Sequence, residues 1–238
     1  MDVDVFIPCF VDQLEPEIGK NLVKILEHVG CKVHYNPQQT CCGQPQFNSG
    51  YMKESRELAQ KFLKDFAGDR YIVSPGGSCT GFIKRRYASL FENEADKKAA
   101  EQLSNRIFDI CDFLVNVLKV EDLGATFNAK VTVHDSCSAL REYGLTTEPR
   151  TLLQHVKGLE IVEMEESTTC CGFGGTFSMK QKEISSAMVE QKVRFAQETG
   201  AEYITGTEYS CLMNIKAYID RNNISIKPIH IVNILSHF

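Results

Sequence analysis

Cys41-Cys42-Gly43 and Cys170-Cys171-Gly172 are the same three residues met twice in one chain. Each copy has matching thiols at a distance. Cys9 precedes Cys41 by 32 residues and Cys137 precedes Cys170 by 33; Cys79 follows Cys42 by 37 and Cys211 follows Cys171 by 40. Eight of the ten cysteines therefore form two sets of four. The offset of about 129 residues is far longer than a solenoid repeat and indicates two similar halves related by a pseudo-twofold axis.

Working outward, each cysteine follows a strand-like run. Val3–Pro8 is rich in β-formers and ends at Cys9. Leu14, Ile18, Leu22, Ile25, Leu26 and Val29 recur at helical spacing, with Gly30 as the stop. Cys31–Tyr35 reads as a second strand leading to Cys41-Cys42-Gly43. A helix over 51–67 buries Leu58, Ala59, Phe62, Leu63 and Phe66, and Tyr71–Val73 is a third strand ahead of Cys79. Residues 92–105 read as an exposed polar stretch, 107–118 as an amphipathic helix and 121–129 as a connection.

The order then repeats. Lys130–His134 is a strand before Cys137, and a helix follows near 148–156. Leu159–Val162 is a strand before Cys170. A helix over 178–198 presents Ile184, Ala187, Met188, Phe195 and Ala196, and Tyr203–Thr205 is a strand before Cys211. Residues 229–238 match the helix at 107–118. Strand–helix alternation predicts an α/β fold: two similar parallel-sheet halves, residues 1–121 and 122–238. All eight cysteines then lie beyond the carboxyl ends of strands, where open α/β sheets build their sites.

The bulk composition suits a soluble globular protein, with 43% hydrophobic and 24% charged residues. A net charge of −5 argues against a nucleic-acid partner. The acidic start Met1–Val5 lacks the features of a secretory leader, and no apolar run approaches the roughly 18 residues of a membrane span. A cytoplasmic location follows as the expectation. In that compartment cysteines serve as metal ligands or redox groups before disulfides.

Four thiolates per half are what a 4Fe–4S cluster requires. Adjacent cysteines reach two irons of one cluster, and the following glycine lets the loop bend around an inorganic core. Amides in Gly172–Gly175 and Gly76–Ser78 are candidate donors to sulfur. Zinc also accepts four thiolates, although its sites usually draw on close Cys-x-x-Cys pairs, and none occurs here. A strained vicinal disulfide in each half would leave the outer cysteines unexplained.

The repeated lone Cys, Cys-Cys-Gly and downstream Cys resemble the cysteine-rich CCG domain family, known from heterodisulfide reductases, glycolate oxidase iron–sulfur subunits and lactate utilization protein A. The likeness covers nearly the whole chain. Its short length, the lack of a ferredoxin-like Cys-x2-Cys-x2-Cys module, and the phrases Val5-Phe6-Ile7-Pro8-Cys9 and His134-Asp135-Ser136-Cys137 resemble the lactate utilization branch most. The resemblance implies an iron–sulfur electron-transfer subunit of an oxidoreductase complex that oxidises L-lactate to pyruvate. It would work with other iron–sulfur subunits of that complex and would not be a stand-alone enzyme. One or two clusters, 4Fe–4S by expectation, would be held by Cys9, Cys41, Cys42 and Cys79 and by Cys137, Cys170, Cys171 and Cys211, with zinc an option in one half. Heterodisulfide reductase carries a fifth cysteine per domain where this chain has Phe82 and Asn214, which weakens a disulfide-reductase reading. A zinc-stabilised docking scaffold is the non-enzymatic alternative.

Among the remaining candidates, Cys31 and Cys111 have no partner in the repeat and read as structural. His134 and Asp135 stand where a proton donor or a partner of the metal ligands would sit, or a cap. Arg141 is a candidate counter-charge, whereas Lys84, Arg85 and Arg86 read as solvated surface. His230 reads as core or cap. Gly172-x-Gly174-Gly175 lacks the spacing of a dinucleotide fingerprint, and no flavin or nicotinamide site is visible.

Overall fold

A computed structural model describes residues 1–238. Strands β1 (Asp2–Val5), β2 (Lys32–Tyr35), β3 (Tyr71–Ser74) and β4 (Ile107–Asp109) form one sheet in the order β2-β1-β3-β4, every pair parallel. Parallel neighbours need crossover helices. These are α1 (Cys9–Leu14) and α2 (Pro16–His28), then α3 (Gln44–Asn48) and α4 (Met52–Asp65), then α5 (Gly77–Leu90) and α6 (Glu94–Ser104). A short α7 (Ile110–Asp112) runs into a π-helical turn at Phe113–Leu118.

The second half repeats the plan. β5 (Thr126–Val133), β6 (Lys157–Ile161), β7 (Tyr203–Gly206) and β8 (Lys227–His230) pair in parallel in the order β6-β5-β7-β8. A π-helical turn at Ala139–Tyr143 and α8 (Glu148–Gln154) follow β5. α9 (Phe177–Lys180) and α10 (Lys182–Glu198) follow β6, α11 (Tyr209–Arg221) follows β7, and α12 (Ile231–Leu235) closes the chain.

The structure corrects the sequence reading in several places. Residues 107–118 and 229–238 are not helical throughout: the first begins with edge strand β4 and the second with the last two residues of edge strand β8, and each strand leads directly into a helix. Such strands are too short to display period-two alternation, and their apolar residues merge with the helical pattern. β5 starts at Thr126, inside the expected connection. The first helix is split at Glu15, because Pro16 has no N–H to continue α1 and serves as the first residue of α2. α10 buries Ser185, Val189, Lys192, Val193 and Ala196, whereas Ile184 and Ala187 face solvent.

The two sheets share a core. Val3, Val5, Leu22 and Leu26 from the first half join Val131, Val133, Ile231 and Leu235 from the second in one buried cluster. Each fully buried Leu or Ile there contributes about 1.5–3 kcal/mol over exposure. α12 lies on α2, where Asn21 Nδ2 donates to Asn233 Oδ1 at 3.0 Å and Lys24 Nζ donates to the Ser236 carbonyl at 2.7 Å. On their other faces the sheets carry separate cores, one centred on Phe6, Phe62 and Tyr87, the other on Val189, Ile204 and Ile215. α5 also crosses to the second half. A Cβ on Gly77 would stand 2.5 Å from Ala139 Cβ, and one on Gly81 2.9 Å from the Tyr143 amide. Glycine at these two positions lets the π-helical turn lie directly on α5.

Candidate metal centre

Every cysteine of the two quartets lies at the carboxyl end of its sheet. Cys9 opens α1 after β1, Cys41 and Cys42 occupy the loop after β2, and Cys79 sits in the first turn of α5 after β3. Cys137, Cys170, Cys171 and Cys211 hold the matching places in the second half. The repeat assigns one set of four thiols to each half. The fold turns the two sheet edges toward one cleft of about 140 Å³, which all eight cysteines line. Sequence spacing could not show this, because it depends on how the halves pack.

The local geometry is built for sulfur. Cys42 Sγ lies 3.4 Å from Cys79 Sγ, and the Gly43 and Gly172 amides each donate to the preceding loop sulfur, Cys41 or Cys170, at 3.4 Å. Gly43 and Gly172 take φ of +87° and +85°, the left-handed region that glycine enters freely. Ser55 Oγ donates to the Gly43 carbonyl at 3.1 Å, and Ser185 Oγ to the Gly172 carbonyl at 2.9 Å. Of the amides expected to serve sulfur in the first half, that of Ser78 donates instead to Glu208 Oε2 at 2.8 Å. All ten cysteines are free thiols, so the vicinal disulfides do not form.

The thiols interact mainly with one another. Cys41 is drawn down to about 3 by hydrogen bonds from Cys42 and Cys9, with the Gly43 amide adding to them. Cys42, wholly buried, is pushed well above the ordinary thiol range by its hydrogen bonds to Cys41 and Cys79 and by burial. Four sulfurs so close cannot all ionise without a cation between them. A set of four deprotonable soft donors is the donor chemistry of a thiolate metal or iron–sulfur site, and the residues present fit that group.

Positions where richer relatives carry a fifth cysteine are committed elsewhere. Phe82 packs on Phe47 and Tyr87, and the Tyr87 hydroxyl donates to the Cys42 carbonyl at 2.7 Å. Asn214 Nδ2 donates to the Cys171 carbonyl at 2.9 Å. Both halves thus fix the same carbonyl by different side chains.

Four further residues contribute that the sequence pattern does not single out. Glu208, which lines the cleft, accepts from the Ser78 amide and from the Ser210 hydroxyl at 3.0 Å, so one carboxylate ties together the first turns of α5 and α11. Aligning Glu208 with Gly76 in the repeat marks this asymmetry. Lys192, fully enclosed on α10, donates to the Glu166 and Ser167 carbonyls. Burial pushes it down to about 8, against the pull of Cys171 and Asp135. Phe10 and Phe173 meet edge to face, ring centroids 5.8 Å apart, across the cleft between the halves.

The other candidates separate cleanly. Cys31 and Cys111 are buried away from the cleft. Asp135 forms a two-pronged ion pair with Arg150 at 2.8 and 2.9 Å and accepts from Ser167 Oγ. His230 Nδ1 accepts from the Val232 amide and caps α12. Arg141, Arg85 and Arg86 are exposed, but Lys84 is half-buried over the rings of Phe108 and Tyr143, so it is not solvated surface. His134 is buried beside Cys171 and Cys211. Burial and nearby Lys192 push it down to about 3, so its ring is neutral.

Comparison with known proteins agrees with this geometry. A family profile described as the cysteine-rich (CCG) domain matches residues 3–84 and again 131–216, one copy per sheet. The chain is 48% identical to lactate utilization protein A 1 of Bacillus mycoides over 99% of its own length and 97% of the relative's. It is 43% identical to lactate utilization protein A of Bacillus subtilis, covering 99% of both chains. Among solved structures, a glutamate racemase from Francisella tularensis aligns with 99% of this chain and 78% of its own at 12% identity and a TM-score of 0.36. That value is too low to bear on fold or function. With one copy of the motif on each sheet and full-length relatives above 40% identity, the chain belongs to the CCG cysteine-rich domain family.

Proposed function

We propose that this chain is an iron–sulfur electron-transfer subunit in a lactate-utilization system, serving the two-electron oxidation of L-lactate to pyruvate together with other iron–sulfur subunits. The observation that carries the reading is the meeting of two four-thiol sets in one cleft. The relatives named for lactate utilization supply the physiological setting. In this reading Cys9, Cys41, Cys42 and Cys79 hold one cluster, and Cys137, Cys170, Cys171 and Cys211 hold the other, each of 4Fe–4S type. A cluster in such a site supplies one-electron redox chemistry.

The chain's own residues define what the site does. Strand ends and the first turns of α5 and α11 fix the sulfurs, while the Gly43 and Gly172 amides donate to them and so favour added negative charge. Phe10 and Phe173 add apolar rings to the lining of the cleft. The lining includes the carboxylate of Glu208 and no lysine, arginine or histidine. The lining itself therefore offers a lactate carboxylate no charged partner, which supports electrons rather than substrate as the traffic of this cleft. No helix is long and apolar enough to cross a membrane.

Anaerobic purification or reconstitution, followed by iron and acid-labile sulfide analysis and electron paramagnetic resonance of the reduced protein, tests the proposal. The expected result is a brown protein with both elements bound and a signal on reduction. A colourless anaerobic preparation with stoichiometric zinc would overturn it.

A further inference from the structure

We propose that His134 is a nitrogen ligand of the second metal centre, a donor beyond its four thiols that shares a metal ion with Cys171 and Cys211, so the first half holds an all-sulfur centre and the second a mixed sulfur–nitrogen one. This rests on the reading of the quartets as metal sites and adds an asymmetry that the repeated cysteines do not reveal.

The matching position in the first half is Phe6, three residues before Cys9 as His134 is three before Cys137. Phe6 needs no polar partner and packs edge to face on Phe62 and Phe66, ring centroids 4.9 and 5.9 Å apart. His134 is 2% exposed, and neither ring nitrogen makes a hydrogen bond of good geometry; the backbone acceptor beside it, the Ser167 carbonyl, is already taken by the Asp135 amide and the Lys192 ammonium. A buried polar ring left without a well-formed hydrogen bond is costly and needs a cause.

Its surroundings supply one. A ring nitrogen of His134 and the sulfurs of Cys171 and Cys211 all lie within 4.8 Å of one another. Tetrahedral bonds of about 2.0–2.3 Å set such donors about 3.5–3.8 Å apart, so a modest side-chain adjustment closes the set. Besides its interaction with Cys171, the Cys211 sulfur makes a long contact to Ser136 Oγ at 3.8 Å. Imidazole with thiolates is a donor set for zinc or for an iron of a cluster. His134 comes from the end of β5, Cys171 from the loop after β6 and Cys211 from α11, so three separate elements converge on this point.

Cobalt(II) provides the probe. The full-length apo-protein is titrated anaerobically with cobalt alone, sulfur-to-cobalt absorption is followed, and nitrogen coupling to the bound ion is read by pulsed paramagnetic resonance. Parallel loading with zinc or with iron and sulfide identifies which metal the nitrogen-bearing site retains. The expected result is imidazole coupling at one of two thiolate sites. His134→Gln and His134→Phe lose that coupling and weaken the second site by at least about 10–100-fold, the loss seen even for groups that only orient a ligand. The first site is unchanged. Thiolate-bound cobalt without nitrogen coupling in the unaltered protein, or coupling that survives His134→Gln, overturns the inference and leaves the metal reading standing. Absence of any sulfur-to-cobalt band overturns both. The measurement on the unaltered protein needs no variant to fold.

Discussion

Behind Cys42 the first half packs Phe6 edge to face on Phe62; at the matching positions behind Cys171 the second half places His134 and Lys192. The frames are the same. Ser55, Ala59 and Phe62 on α4 correspond to Ser185, Val189 and Lys192 on α10, and both serines hold the carbonyl of the motif glycine. The lesson is that duplication preserved the thiol geometry while the material behind it diverged from hydrocarbon to charge and imidazole. A buried cation near one quartet and none near the other favours placing an added electron on the second centre, since Coulomb attraction is weakly screened there.

The largest break in this comparison comes from removing one thiol per half. Cys42→Ser is expected to abolish the first centre alone, and Cys171→Ser the second alone, each leaving about half the bound iron and sulfide if each quartet holds its own cluster. Metal analysis decides this, and loss of all iron from either variant would show one shared centre.

Exchanging the backing comes next. Phe62→Ala is expected to cost about 3–5 kcal/mol by opening a cavity in an aromatic cluster. Lys192→Met removes two charge-assisted hydrogen bonds to the Glu166 and Ser167 carbonyls, which keep the Thr169 and Asp135 amides, costing about 1.5–3 kcal/mol. Denaturant unfolding measures both. Redox titration should show the second centre moved to a more negative potential in Lys192→Met, with the first unmoved.

The caps after the two edge strands sharpen the contrast through pH. Asp109 accepts from the Cys111 amide and His230 from the Val232 amide, both in wholly buried sites. Burial raises Asp109 to about 7 from 3.8, so its contribution is complete below pH 4 and is lost as pH rises through 7. Burial lowers His230 to about 4 from 6.5, so its contribution is complete above pH 6.5 and is lost as pH falls through 4. Each shift corresponds to a few kcal/mol at most, at about 1.4 kcal/mol per pH unit. Asp109→Asn should flatten the loss of stability on the neutral side, and His230→Asn that on the acid side, as read from melting temperature against pH.

The smallest expected effect lies in the motif glycines. Gly43→Ala should cost about 1–2 kcal/mol for its left-handed backbone. Gly172→Ala should cost more, because a Cβ there meets the Ser185 carbonyl at 2.6 Å, against 3.3 Å for the Ser55 carbonyl at Gly43. Equal destabilisation of the two in thermal melts would count against that difference in crowding.

The chain's own order determined a good deal. The repeated Cys-Cys-Gly with matched outer thiols identified the duplication, and apolar runs ahead of each cysteine placed the thiols at strand ends. These are local regularities, and local propensity and spacing report them directly. Tertiary structure decided the rest. The edge strands Ile107–Asp109 and Lys227–His230 owe their conformation to parallel pairing with β3 and β7, a non-local hydrogen-bond ladder that three or four residues cannot announce. The buried face of α10 was misread because Ser185 and Lys192 belong to it, and polar residues are buried only where packing supplies partners. That the quartets share one cleft, and that His134 stands against Cys171 and Cys211, followed from the packing of the two halves and the convergence of β5, the loop after β6 and α11. Distances between residues far apart in the chain are fixed only when the shared core closes.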